Sequence, residues 1–274
     1  MSYQSLFAAL WQDYINRNSH ASKVHQLFNN EGESIINDHV AFRTFNHPKI
    51  NVDKLAKFFT AYGYEEKGTY DFPTKKLFAK HYEHADPSAP KIFISELLTE
   101  KFSIELQKTV DECVEKIPMS ALSSENFLTA GTYWQPLSYK TYKKLLAESE
   151  YAAWMYAFGF CVNHFTVGIN HFKNFKEIHE VNELLLKHGF KLNASGGLIK
   201  GTPLEFLEQS STLAEEVEVK FAEGVYKIPS CYYEFAKRYV LPATGKLYTG
   251  FIAASADKIF ESTNVGNVID QSNE

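Results

Sequence analysis

NDHVAFRTF, residues 37–45, reads as a β-strand: β-branched and aromatic residues crowd its centre, and it carries two chemically active side chains four apart. In a strand, positions i and i+4 share a face, so the His39 imidazole and the Arg43 guanidinium project together. Val40, Phe42 and Phe45 are the packing residues around them. A strand that spends one face on a metal-type ligand and a permanent cation is building a site.

Working outward, Leu6, Leu10 and Tyr14, then Val24, Leu27 and Phe28, recur at helical spacing and predict helix across residues 2–30. After the opening strand, VDKLAKFFTAYGY (52–64) predicts an amphipathic helix closed by Gly63. Strands are expected at 64–71, 75–84 and 91–98. Residues 100–158 change to helical periodicity. A second strand with a central histidine, CVNHFTVGIN (161–170), then precedes a helix over 175–190 that ends at Gly189. KLNASGGLIKG, LEFLEQSSTLA with EVEVKF, and VYKIPSCYYEFAKRY supply its following strands. The order β-α-β-β-β occurs twice, and the registers agree. His39 lies 24 residues before Gly63, and His164 lies 25 before Gly189. The repeat predicts an α+β fold in which paired βαβββ modules form a cupped mixed sheet, with a helical insertion. The expected organisation is a single catalytic domain over 1–274. It comprises an N-terminal helical segment (1–36), a first module (37–99), the insertion (100–158), a second module (159–240) and a C-terminal extension (241–274).

Bulk properties narrow the function. A formal net charge of −5, with no basic stripe, excludes nucleic acid as the main partner. No run approaches the ~18 apolar residues of a membrane span, and the N-terminus lacks the pattern of a signal peptide. Three widely spaced cysteines, Cys113, Cys161 and Cys231, form no disulfide framework or zinc motif, which fits a cytoplasmic location. GxGxxG, P-loop, GxSxG and HExxH patterns are absent.

If the modules pair about a pseudo-two-fold, their first strands meet. His39, His164 and the carboxylate of Glu234, on the last strand, then converge. Two histidines and one carboxylate on one side of a metal leave positions open for substrate and dioxygen, the arrangement of non-haem Fe(II) oxygenases. Other readings stand beside this one. Glu96, in the slot of the first module that matches Glu234, is the structural control. Glu216 and Glu218 read as an outward strand face. His81 is the reserve ligand, while His171, His179 and His188 read as surface residues. Arg43, roughly 13 Å along the strand from His39 at ~3.3 Å per residue, is a candidate clamp for the carboxylate of an acidic substrate whose other end chelates the metal. A structural salt bridge, to Glu96 for example, is the alternative. Lys200, Gln209 and Ser211 are weaker candidates for lining the cavity, and the insertion, with Tyr133 and Trp134, is a candidate lid.

The motifs HVAFR, VNHFT, GGLIKG, LEQSST and IPSCYYEFAKRY, spanning about residues 20–245, resemble the 2-oxoadipate dioxygenase/decarboxylase family of the vicinal oxygen chelate superfamily. The resemblance implies that His39, His164 and Glu234 hold Fe(II) and that Arg43 binds substrate. It implies conversion of a 2-oxo diacid, 2-oxoadipate, with O2 to 2-hydroxyglutarate and CO2, a step of lysine degradation. The competing expectations are a non-oxidative metal-dependent isomerase, lyase or hydrolase on the same fold, or a protein that binds a small acid without turnover.

Overall fold

The computed structural model describes residues 2–263. The end of the expected C-terminal extension, 264–274, lies outside the described residues. The chain forms two compact units. The first comprises residues up to Asn16, Val40–Asn163 and Glu216–Ile228; the second comprises Arg17–His39, His164–Glu215 and the chain from Pro229. The boundary therefore falls inside two strands, between His39 and Val40 and between Asn163 and His164.

The elements, in chain order, are α1 (Tyr3–Arg17), α2 (Ser19–Asn30), β1 (Asn37–Phe45), α3 (Val52–Thr60), β2 (Glu65–Phe72), β3 (Leu77–Glu83), β4 (Lys91–Leu97), α4 (Ile104–Glu115), α5 (Tyr139–Glu148) and α6 (Glu150–Phe158). They continue with β5 (Val162–Gly168), α7 (Ile178–Lys187), β6 (Lys200–Thr202), β7 (Leu207–Ser211), β8 (Glu216–Phe221), β9 (Gly224–Pro229), β10 (Glu234–Arg238) and α8 (Ala253–Ile259). The fold is α+β, with two βαβββ modules as expected: β1-α3-β2-β3-β4, and β5-α7-β6-β7-β10.

In the first unit the strand order is β2-β3-β4-β1. α3 forms because Asn51 caps it, its side chain accepting from Lys54 N, and because Val52, Leu55, Phe58 and Phe59 bury one face. Phe59 is fully buried against Phe42 of β1, with ring centroids 5.1 Å apart; truncating such a phenylalanine to alanine costs about 3–5 kcal/mol. α3 ends before Gly63, which takes a left-handed φ of +92°. Gly189 does the same after α7, at +79°, with Phe190 N donating to Leu185 O. The helical insertion is present as α4–α6. Every residue of α6 from Tyr151 to Phe158 is buried, so this helix is core rather than cover. Trp134 is buried as well, its Nε1 donating to Tyr156 O at 2.8 Å, and Tyr133 stacks on Phe127.

In the second unit the strand order is β5-β10-β7-β6, with the start of β1 beside β5, where Ile36 O accepts from Gly168 N at 2.9 Å. β10 runs parallel to β5 and antiparallel to β7, so the sheet is mixed. Four expectations are refined here. The N-terminal helix is two helices, broken at buried Asn18, whose side-chain oxygen accepts from Ser230 Oγ and Cys231 N. EVEVKF is not a strand of the module: it pairs with GVYKIP as the separate hairpin β8-β9, which packs on the insertion through Tyr226 stacked on Tyr139 at 3.6 Å. The long expected last strand is interrupted at 230–233, where Cys231 N and Tyr233 N donate to the side chains of Asn18 and Thr212 instead of to a ladder. KLNASGGLIKG likewise contributes only Lys200 and Gly201 to β6, because Asn193–Gly197 fold into a turn held by Ser195 N donating to Asn193 Oδ1. Glu216 and Glu218 do form the exposed face of their strand.

Candidate metal centre

Register explains how the site assembles. Glu234 pairs with Thr166 on one side and Ser211 on the other, and Gln209 pairs with both Ala236 and Lys200. Paired residues and residues two apart point to one face of a sheet. His164, Thr166, Glu234, Ser211, Gln209 and Lys200 therefore share a face of the second unit, and His39 joins them from β1.

His39, His164 and Glu234 are all buried, and one ligand atom from each lies within 4.8 Å of the others; this is the group of three or more such side chains that could hold a metal among the described residues. His164 Nε2 is 3.0 Å from Glu234 Oε2, and His39 Nε2 is 3.7 Å from Glu234 Oε1. The imidazole rings stand nearly perpendicular, 5.7 Å between centroids. Each is held by an aromatic neighbour: Tyr232 stacks on His164 at 4.5 Å, and Phe251 meets His39 edge-on at 4.8 Å.

The surrounding bonds fix which atoms face inward. Asp38 Oδ1 lies 2.8 Å from His39 Nδ1. A carboxylate there holds the proton on Nδ1 and turns the Nε2 lone pair to the centre. Asp38 is itself gripped by Arg238, with Nε to Oδ2 at 2.6 Å and Nη2 to Oδ1 at 2.9 Å. Gln209 Nε2 donates to Glu234 Oε1 at 2.5 Å, whereas the buried Oε2 accepts no hydrogen bond of acceptable geometry. Burial pushes the Glu234 carboxyl up, but the His39 and His164 imidazoles and the Gln209 amide outweigh it and hold it below the usual carboxylate range. A buried carboxylate held in its ionised form and facing two imidazole nitrogens fits a divalent metal.

The other candidates lie elsewhere or do other work. Glu96 accepts from Val52 N at 2.8 Å, the first turn of α3. It sits near the end of β4, whereas Glu234 begins β10, so the two are not equivalent in the repeat as expected. His81 is engaged by Tyr70 and Glu83 in the first unit. His171, His179 and His188 are exposed. Arg43 is buried, its guanidinium over the rings of Tyr151 (4.7 Å) and Trp154 (5.0 Å), and it contacts Glu150 at 3.2 Å rather than Glu96. Ser211 Oγ is 2.7 Å from Ser262 Oγ. Lys200 is buried and donates to the Asn193 carbonyl, and burial draws its ammonium down to about 8. Asp38, Arg238, Thr166, Tyr232 and Phe251 had no role in the sequence reading. The Asp-His pair and the AKR triplet were visible, but strand alternation places Asp38 opposite His39, and Arg238 lies far along the chain.

Comparison with known proteins agrees with this geometry. Residues 2–249 match the family profile described as 2-oxoadipate dioxygenase/decarboxylase. The chain is 36% identical to the Arabidopsis thaliana protein named 2-oxoadipate dioxygenase/decarboxylase, chloroplastic, over 95% of this chain and 77% of that one. It is similar to the crystal structure of hydroxyglutarate synthase from Oryza sativa in complex with 2-oxoadipate, with TM-score 0.90, 33% identity, and 95% and 91% coverage of the two chains. A crystal structure from Shewanella frigidimarina, provisionally described as a hydrolase, is 52% identical with TM-score 0.87, covering 92% and 98%. A glyoxalase superfamily protein from Ralstonia eutropha, at 19% identity and TM-score 0.75, shares the fold. With a profile match over nearly the whole described chain and a buried two-histidine, one-carboxylate group on a vicinal oxygen chelate fold, this chain belongs to the 2-oxoadipate dioxygenase/decarboxylase family.

Proposed function

We propose that the protein is an Fe(II)-dependent enzyme that converts 2-oxoadipate and O2 to 2-hydroxyglutarate and CO2, with His39, His164 and Glu234 as the metal ligands. The observation that carries the proposal is the convergence of those three buried side chains within 4.8 Å. Fe(II) supplies a Lewis acid for the 2-oxo carboxylate and the redox chemistry for dioxygen. The equation balances without an added reductant, because the 2-oxo acid provides the electrons. The protein's share is orientation and exclusion of water. Asp38 fixes the His39 tautomer, Gln209 holds one oxygen of Glu234, and Tyr232 and Phe251 wall the imidazoles. Arg43 is proposed as a substrate-binding residue; a carboxylate exchanging for Glu150 would meet a planar two-pronged donor against Tyr151 and Trp154. The five sequence segments, from the N-terminal helices to the C-terminal extension, are proposed to serve this one catalytic centre. A cytoplasmic place in lysine degradation is part of the proposal, supported by three buried free thiols.

The test is anaerobic reconstitution with Fe(II), addition of 2-oxoadipate, and measurement of O2 consumed and CO2 released. Stoichiometric uptake that disappears in His39→Ala and Glu234→Ala and persists in Glu96→Ala is the expected result. The hydrolase description of the Shewanella frigidimarina relative favours a second reading, a non-oxidative metalloenzyme. Turnover of a substrate with bound metal and no oxygen uptake would select it.

A further inference from the structure

Thr166 lies in the middle of the face that carries the candidate ligands. It is fully buried on β5, two residues from His164, and it is the register partner of Glu234 on β10. Its Oγ1 is 3.0 Å from His39 Nε2. The direction of that hydrogen bond follows from the other side of the imidazole ring. Asp38, gripped by Arg238 through Nε and Nη2, lies 2.8 Å from His39 Nδ1. A carboxylate bound in this way is an acceptor, so in the neutral imidazole Nδ1 carries the proton and Nε2 carries the lone pair. The Thr166 hydroxyl is therefore the donor and His39 Nε2 the acceptor.

That lone pair has two claimants. A divalent metal held by His39, His164 and Glu234 needs it, and a nitrogen that accepts a hydrogen bond from Thr166 cannot give the same pair to a metal. The hydrogen bond also serves the protein without metal. His39 Nε2 is 3.7 Å from Glu234 Oε1, so two acceptors would otherwise face each other in a buried space, and the hydroxyl proton satisfies one of them. Thr166 does not swing aside freely. Its Cβ is branched, which restricts χ1, and the side chain is packed with no exposed surface. Placing a metal on His39 Nε2 thus breaks the Thr166–His39 hydrogen bond.

We propose that Thr166 sets how tightly the centre holds its metal, its hydroxyl competing with the ion for His39 Nε2. This rests on the ligand set proposed above and adds a residue that regulates it. The experiment uses the full chain, purified free of metal, with Co(II) added under nitrogen at pH 8, above the ordinary imidazole range. Affinity is read by competition with a chromogenic chelator, and the visible bands of Co(II) report its ligands. Thr166→Val keeps the shape and removes the donor, and its Co(II) affinity is expected to rise about two- to tenfold, the worth of one hydrogen bond. Thr166→Ala, which also lacks the hydroxyl, should bind more tightly than wild type too. Thr166→Ser keeps the hydroxyl and should return the affinity to the wild-type value. By linkage, the melting temperature of metal-free Thr166→Val should fall below that of wild type, and the gap should shrink at saturating Co(II). A hydroxyl that only packs predicts an equal loss of melting temperature with and without Co(II) and an unchanged affinity, and that result overturns the proposal. Weaker binding in both Thr166→Val and Thr166→Ala overturns it as well, since the hydroxyl would then support the bound ion. A wild type that takes up no Co(II), or one whose bands and affinity are unaltered in His39→Ala, overturns the ligand set, and this proposal with it.

Discussion

Asp38 shows how much one side chain controls at the candidate centre. It joins two buried groups, orienting His39 through Nδ1 and neutralising Arg238 through a two-pronged contact. Asp38→Asn keeps the shape, loses the charge, and lets the amide present either an acceptor or a donor to the imidazole. Metal affinity should fall by about 10–100-fold, measured by competition with a chromogenic chelator. Thermal stability should fall too, because Arg238 keeps its burial without its counter-charge. The convergence of the three candidate ligands was legible in the sequence because equivalent histidines in a repeat need a common cause. The sequence did not make Asp38 legible. Alternation along a strand tells which face a Cβ leaves from, not where a carboxylate tip arrives. Nor did it reveal the partner of Arg43, since Glu150 comes from a helix more than a hundred residues away.

At the scale of elements, the repeat was read correctly where local signals were strong. α3 and α7 were visible from apolar spacing and terminal glycines, and β1 to β5 from alternation. The second module was harder. Its strands are short, Lys200–Thr202 and Leu207–Ser211, and a polar hairpin with clean alternation, β8-β9, imitates a member of the sheet. Alternation reports a half-exposed strand, not which sheet it joins. The same limit misaligned Glu96 with Glu234. Glu96 is a helix-capping carboxylate, bound to Val52 N beside the N-terminus of α3, where a negative charge also meets the helix dipole. Glu96→Ala should therefore cost about 1 kcal/mol of stability, read as a lower urea midpoint at unchanged slope, with metal content unaffected. A loss of metal in that variant would contradict the assignment of the two glutamates.

For the whole molecule, stability should depend on pH through His20. Burial, aided by Lys23, lowers its pKa from 6.5 to about 4. Between those values the unfolded chain takes up a proton that the folded chain refuses, so stability is full above pH 6.5 and declines as pH falls toward 4. The total is roughly 3 kcal/mol at ~1.4 kcal/mol per pKa unit. Urea midpoints at pH 7.5 and 5 should show it, and His20→Asn should flatten the dependence.

The seam inside β1 and β5 has a further meaning. His39 and His164 are the residues on either side of Val40–Asn163, a stretch that supplies none of the three candidate ligands. An ion that grips both histidines closes that stretch into a loop, as a cross-link does. For a covalent bridge around a loop of about 100 residues, the lost freedom of the unfolded chain amounts to ~4.7 kcal/mol. Stripping the proposed metal with a chelator should lower the melting temperature and speed amide hydrogen exchange throughout residues 40–163. The proposed ion would then be a clasp as well as a reagent, and a cell short of that metal would lose folded protein along with turnover.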